Sequence, residues 1–269
     1  KKFQFDAIIL SPGIDINKCK LSKFLKKNHK IIYTDLDVFW SFYDNCCITV
    51  TGTNGKSTTC QLIYEVFKKQ KIDVRLAGNI GYPILSNKNF KKKTIFVIEA
   101  SSYQLDYSKL FKSKYAAILN ISADHLERHK NIKNYISAKF KLINNQNRNS
   151  LALVNKHDKN IMSKINRKIK YKSKIIKVNT KIEKKYLDKF KNKNFLSRSN
   201  IENLSFVIKF CEIFKVKKYN LVKTVNNFKG LEYRQQIIYK DKEIMVINDS
   251  KSTSYSSSIE LLSKPNHIY

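Results

Sequence analysis

The 269 residues, 42% of them hydrophobic, are too apolar for a disordered chain and numerous enough for one large or two ordinary domains with sizeable cores. A formal net charge of +32 would ordinarily point to a nucleic-acid partner, but only 6 of the 53 basic residues are arginine, the side chain best suited to reading phosphates and bases. Lysine, asparagine, isoleucine, phenylalanine and tyrosine (A/T-rich codons) are heavily used while glycine and proline (G/C-rich codons) number 6 and 3, so base composition of the gene accounts for the charge better than selection for nucleic-acid binding.

In chain order, short apolar runs at 7–10, 31–33, 48–51, 74–77, 95–99, 116–121, 151–154 and 175–178 predict strands. Segments 22–28, 56–69, 132–144 and 200–214 fall between them and predict helices. Most of the strand runs are continuously apolar, as strands buried on both faces are. The β-α-β-α alternation predicts an α/β fold with a central, doubly wound, mostly parallel sheet. The lysine-rich segment 171–199 reads as solvated surface with one edge strand, and 235–239 with 243–247 flank Lys-Asp-Lys as a hairpin. Changes of pattern near Asn45 and Leu231 divide the chain into 1–45, 46–230 and 231–269; no internal repeat is present.

Cys19, Cys46, Cys47, Cys60 and Cys211 are odd in number and lack metal-site spacing, so they are expected to be reduced, mostly buried thiols of a cytoplasmic protein. Adjacent Cys46 and Cys47 read as packing residues. No run is apolar for long enough to cross a membrane, and no signal-peptide pattern is present. The chain opens on one strand pattern, "KKFQFDAIIL", and stops on another, "PNHIY", so both ends read as cut.

Candidate chemistry begins at "ITVTGTNGKSTTCQLIYEVF", residues 48–67, a strand, a tight turn and a helix. A standard phosphate loop has a glycine five residues before the last one, where this chain has Val50; Gly52 stands only three residues before Gly55. Even so, Gly52, Thr53, Asn54 and Gly55 would let backbone N–H groups turn onto phosphate oxygens at a helix N-terminus. Lys56 would reach the β/γ-phosphates, and Ser57 or Thr58 would hold Mg²⁺; the alternative is an ordinary helix start. Glu99 ends a buried strand and is followed by Ser101, Ser102 and Gln104; it is either a cation ligand or a solvated rim residue. Asp124 and His125 follow the next strand, where His125 is a ligand, an acid/base or a satisfied loop histidine. Three strand ends carrying Lys56, Glu99 and His125 converge on one sheet edge, which favours the functional alternative. Lys139, one lysine among many, reads as surface on charge alone. Asp249 and Lys251 either meet a nucleotide from a further domain or belong to a capped helix start.

"TGTNGKST", "GNIGYP", "IEASSYQL", "DHLERH", "AKFKLI", "SNIEN", "FKGLEYR" and "NDSKST", in this order, resemble the Mur ligase family, the ATP-dependent amide-bond ligases of peptidoglycan synthesis. The resemblance runs from Ser11 to about Thr253. "SPGI", "SSYQL" and "NDSKST" resemble the branch that adds D-glutamate to UDP-N-acetylmuramoyl-L-alanine. It implies a central ATP-binding domain at 46–230 with a P-loop-type site. This is flanked by parts of Rossmann-like N- and C-terminal domains, 1–45 for the UDP-substrate and 231–269 for the amino acid. Residues Gly52, Thr53, Asn54, Gly55, Lys56, Ser57 and Thr58 match the family's short phosphate loop. Glu99 and His125 match Mg²⁺ ligands, with Ser57 beside them, and Lys139 matches a lysine that is carbamylated and joins a site for two Mg²⁺ ions. This reverses the surface reading of Lys139. Asn200 and Asn203 match residues around adenine and ribose, Arg234, Asp249 and Lys251 match nucleotide contacts, and Thr253 matches a D-glutamate contact. Ser11, Pro12, Gly13, Asn79, Ser101 and Gln104 match residues near the UDP-sugar.

Two positions depart from the family pattern, Ser199 where histidine is usual and Ser254 where asparagine is. The glycine-rich start of the UDP-binding domain and most of the third domain have no counterpart in this chain. The implied chemistry is activation of a substrate carboxylate as an acyl phosphate, then attack by the amine of D-glutamate. Implied partners are the small-molecule substrates alone, with neither nucleic acid nor membrane, and the implied state is a monomer. The competing expectations are a sister ligase such as a folylpolyglutamate synthetase, a basic P-loop ATPase acting on nucleic acid, and a folded piece inactive by itself.

Overall fold

The computed structural model describes residues 5–167, 170–192 and 197–252. The elements in chain order are β1 (Ile8–Ile9), α1 (Ser22–Lys27), β2 (Ile32–Tyr33), α2 (Asp35–Phe42), β3 (Cys47–Thr51), α3 (Lys56–Lys69), β4 (Val74–Gly78), β5 (Ile95–Glu99), α4 (Ser102–Tyr107) and β6 (Tyr115–Ile118). They continue with α5 (Leu126–His129), α6 (Ile132–Asn144), β7 (Leu151–Asn155), α7 (Lys159–Ile165), β8 (Lys174–Val178), α8 (Lys184–Leu187), α9 (Arg198–Ile213), α10 (Lys218–Asn227), β9 (Gln236–Lys240) and β10 (Met245–Asn248).

Six strands form one parallel sheet in the order β4-β5-β3-β6-β7-β8. From β3 the chain winds to one side through β4 and β5, then crosses β3 to reach β6, β7 and β8. The direction of winding therefore reverses between β5 and β6, with β3 at the switch, and the crevice at the carboxyl ends there is where such sheets take ligands. The continuous apolar runs are explained by what covers them. Ile48 and Val50 of β3, Val97 of β5, Ala117 of β6 and Leu153 of β7 pack beneath α3, α9 and α10. Their neighbours Cys47, Phe96, Ile98, Ala116, Ile118, Ala152 and Val154 pack on the opposite face against α2, α4, α6 and α7. The four inner strands β3, β5, β6 and β7 are apolar on both of their period-2 faces because helices cover both, while the edge strands β4 and β8 carry exposed basic residues.

β6 ends at Ile118, short of the predicted residue 121, because the chain leaves the ladder to hold the β3 loop. Thr53 N–H donates to the Asn120 carbonyl at 2.9 Å, and Ile121 N–H donates to Asp158 Oδ2 at 2.7 Å. The segment expected to be solvated surface holds the predicted edge strand β8, but it also buries Ile182 and Phe190 in the core under α9. Helix α2 was not expected from periodicity; Leu36 and Phe39 drive it into the central core. The predicted hairpin is present as antiparallel β9 and β10. β1 and β2 form a separate parallel pair over a small cluster of Leu10, Leu25 and Ile32, with Tyr107 of α4 packed against it. All five cysteines are free, three of them buried. Burial pushes the Cys46 thiol up to about 11 and the Cys211 thiol up to about 12, and raises Cys47 and Cys60 as well; Cys47 packs in the core and Cys46 is half-buried beside it. The terminal "PNHIY" and Ser254 lie outside the described residues.

Candidate active site

The loop between β3 and α3 is built around two glycines. Gly55 has φ +80°, and a Cβ there would lie 2.0 Å from Asn203 Oδ1, so neither the backbone conformation nor the space admits a side chain. That approach also places Asn203, on α9, directly over the loop. A Cβ on Gly52 would meet Leu119 Cβ at 3.1 Å. The loop is clamped on its β6 side: Asn54 N–H donates to Asn120 Oδ1 at 2.8 Å, and Asn120 Nδ2 donates back to the Asn54 carbonyl at 3.2 Å. Thr53 Oγ1 accepts from Ser122 N–H at 3.0 Å and shares a hydrogen bond with Tyr135 Oη at 3.2 Å.

Two lysines converge on the same loop carbonyl. Lys56 Nζ donates to Gly52 O at 3.0 Å and to Thr53 O at 2.7 Å; Lys139 Nζ, from α6, donates to Gly52 O at 2.8 Å. Burial pushes both amines below the ordinary lysine range, Lys139 well below it, and for Lys139 the charge of Lys56 adds to the effect. For Lys56, Glu99 opposes the shift and Arg234 reinforces it. Lys139 is only 1% exposed and lies 4.5 Å over the Tyr135 ring. Two lysine amines this close, with little solvent around them, make a site that favours an anion.

Glu99, at the end of β5, is 1% exposed. Its Oε1 accepts from Asn79 Nδ2 at 2.9 Å, whereas Oε2 is buried without a hydrogen-bond partner. A buried carboxylate oxygen with no donor fits a cation ligand. Among the described residues no three His, Cys, Asp or Glu side chains stand close enough to hold a metal by themselves, so a cation here would need oxygens from phosphate or water, as Mg²⁺ usually does. Ser57 lines a cleft of about 430 Å³ together with Asn79, Ile80, Leu231, Glu232, Arg234 and Lys251. Arg234 and Lys251 thus face the loop across the cleft. Asp249 does not line it; its carboxylate accepts from Gln235 N–H at 3.1 Å and Ser252 Oγ at 2.7 Å. Thr58 is half-buried in the first turn of α3. Asn200, one turn before Asn203, accepts from its Nδ2 at 3.5 Å.

His125 takes a left-handed backbone conformation, φ 52°, at the start of α5. Its Nε2 lies 3.5 Å from Asp124 Oδ2, its Nδ1 3.6 Å from Glu127 Oε1, and its ring 5.1 Å from Tyr103. Ser101 and Gln104 are committed to structural hydrogen bonds. They cap α4 reciprocally, and Gln104 Nε2 donates to both carboxylate oxygens of Asp35 at 3.2 and 3.0 Å. Ser11, Pro12 and Gly13 form the turn after β1, where Ile14 N–H donates to the Ser11 carbonyl at 3.0 Å. Thr253 lies outside the described residues.

Several residues of the site carried no signal in isolation. Asn120 and Tyr135 clamp the loop. His129, 5% exposed, sits 3.0 Å from Ser102 Oγ, and burial lowers its pKa, so it is neutral near pH 7. Tyr135 is detectable only through its helix pattern: it lies one turn before Lys139 on the buried face of α6.

A doubly wound parallel sheet with a glycine-hinged, lysine-lined loop at its switch point is a phosphate-loop α/β protein. Residues 50–228 match the description of the Mur ligase middle domain, and the chain belongs to the Mur ligase family. A UDP-N-acetylmuramoylalanine–D-glutamate ligase of Rickettsia bellii is 32% identical over 98% of this chain and 62% of its own length. The protein of the same name from Francisella philomiragia is 34% identical over 96% of this chain and 61% of its own. The chain therefore spans 62% of the Rickettsia relative. Among solved structures, MurF ligase from Thermotoga maritima in complex with ADP superposes with a TM-score of 0.64 at 15% identity, covering 88% of this chain and 60% of that one. The UDP-N-acetylmuramate–alanine ligase MurC of the same organism gives 0.59 at 20% identity, covering 96% and 63%. These two likenesses carry the fold.

Proposed function

We propose that this chain forms the nucleotide-handling part of an ATP-dependent ligase that joins D-glutamate to UDP-N-acetylmuramoyl-L-alanine in peptidoglycan precursor synthesis. The observation that carries the proposal is the partnerless buried oxygen of Glu99 beside two lysines that share one phosphate-loop carbonyl. The names of the relatives supply the choice of substrate. Residues 46–230 act as the ATP domain, 1–45 as part of the UDP-substrate domain and 231–269 as the start of the amino-acid domain. ATP, the sugar nucleotide and D-glutamate are its partners, acting on a cytoplasmic monomer. No helix among the described residues is long and apolar enough to cross a membrane.

In this reading Lys56 and the loop N–H groups hold the β- and γ-phosphates, and Arg234 and Lys251 close on the nucleotide from across the cleft. Asn200 and Asn203 lie against the adenosine. Ser57, Glu99, His125 and Lys139 would hold Mg²⁺, which supplies charge neutralisation and in-line alignment of the transferring phosphoryl group when bound. Lys139 would serve as a ligand once its neutral amine has added to CO₂. A C–N bond forms, one proton leaves to solvent, and the carbamate oxygens replace an ammonium that would repel a cation. Burial, which pushes this amine well below the ordinary lysine range, supports this by favouring the neutral form. The substrate carboxylate then attacks the γ-phosphorus and ADP leaves. The D-glutamate amine attacks the acyl phosphate, loses a proton, and phosphate departs.

The test is phosphate release by the complete natural polypeptide with ATP, UDP-N-acetylmuramoyl-L-alanine and one of D-glutamate, L-glutamate, L-alanine or meso-diaminopimelate. Release that depends on D-glutamate alone is expected. A response only to another amino acid would transfer the chain to a sister ligase, and stimulation by DNA or RNA instead would sink the ligase reading.

A further inference from the structure

Arg128 bridges two parts of the chain that the mechanism must bring together. It lies on α5 three residues after His125, and its Nη2 donates to the Ile14 carbonyl at 2.7 Å. Ile14 closes the turn that carries Ser11, Pro12 and Gly13. The same guanidinium lies 4.3 Å over the ring of Tyr103, and that ring lies 5.1 Å from His125 and is stacked on His129 at 5.5 Å. One planar cation thus ties the turn after β1 to the aromatic group that flanks His125. A second tie between the β1–β2 unit and the central sheet exists, but elsewhere. Lys109 Nζ donates to the carbonyls of His29 and Lys30, at 2.6 and 2.9 Å, which precede β2. Because β1 and β2 run parallel, Ile14 and Lys30 lie at opposite ends of that small sheet. The Arg128 tie is at the carboxyl end of that pair, the end that faces His125, and the Lys109 tie is at the other.

We infer that Arg128 is a positioning residue that keeps the turn at 11–14 in register with His125, so that a sugar-nucleotide substrate held by that turn presents its carboxyl group to the phosphate loop. The inference rests on the ligase reading above, and the paired substitutions Arg128→Gln and Lys109→Gln separate the two. Arg128 is half-buried and Lys109 exposed, so both variants are expected to fold. In Arg128→Gln, loss of one charge-assisted bond raises KM for the sugar nucleotide about tenfold, while KM for ATP stays within about twofold. Amide hydrogen exchange over residues 11–16 quickens and exchange over 29–33 does not. Lys109→Gln shows the reverse exchange pattern and an unchanged KM for the sugar nucleotide. Equal effects of the two substitutions on KM, or unaltered exchange over 11–16 in Arg128→Gln, overturn the inference. Absence of D-glutamate-dependent turnover in the wild-type protein overturns the ligase reading alone, because the exchange comparison still decides the role of Arg128.

Discussion

Lys56→Ala is expected to lower amino-acid-dependent phosphate release by about 10²- to 10³-fold, the usual cost of removing one donor from a charge-stabilising site. The ammonium is held by the Gly52 and Thr53 carbonyls, aimed over the loop. Its cost of burial is recovered when it meets a phosphate that carries more negative charge in the transition state than in the ground state, so the loss should appear mainly in kcat. Because alanine also strips two carbonyls of their donor, Lys56→Gln serves as the second variant: its amide can still donate to the loop but carries no charge. Single-turnover phosphate release measures both. Near-wild-type rates in Lys56→Gln would remove the lysine from the reaction and leave it a loop strut.

The largest effect on stability is expected at Asp37. This carboxylate is 1% exposed, and its Oδ1 accepts from Ser108 Oγ at 2.9 Å and from the N–H groups of Lys109, Leu110 and Phe111 at 2.9, 2.8 and 3.0 Å. Oδ2 accepts from Thr34 N–H at 3.0 Å at the start of α2. Asp37→Ala strands four backbone donors and the hydroxyls of Ser108 and Thr34, several of them buried, at about 1–3 kcal/mol for each that finds no water. The expected loss is about 3–5 kcal/mol, read as a lower midpoint in urea unfolding with an unchanged slope. Asp37→Asn keeps one acceptor oxygen and should lose less. A loss below about 1 kcal/mol for alanine would mean that water replaces the carboxylate, contrary to the burial seen here.

The contrast between Asp37 and Lys56 marks how far the amino-acid sequence could be read. The phosphate loop is legible because its chemistry is local: strand, glycines, lysine and helix are contiguous. Glu99 and His125 are legible in part, since each follows an apolar strand and strand ends gather at one sheet edge. Lys139 is not legible by charge, one lysine among many, and only the resemblance singled it out. Yet it does share a helix face with Tyr135, Ala138, Leu142 and Ile143, all buried, and a lysine in that phase is a buried lysine. Asp37, Asn120 and Arg128 act through partners far away in sequence, on segments whose spacing says nothing about one another. Helix α2 escaped periodicity because it is short and its buried face is only Leu36, Asp37 and Phe39. Segment 171–199 reads as surface because its few core residues, Val178, Ile182 and Phe190, are diluted by lysine.

The position of β3 at the centre of the sheet also sets an order of assembly. Cys47 pairs with Phe96 and Ile48 with Tyr115, so both ladder partners of β3 are synthesised well after it. Until β5 emerges, the apolar strand Cys47–Thr51 has no parallel neighbour on either side, and the loop it carries lacks the Asn120 clamp until β6 has followed. Central, non-local parallel pairing is slow and leaves strand edges open in the meantime. During translation, then, the strand that will carry the phosphate loop is the first of the sheet to be made and waits for the fourth before both its edges are paired.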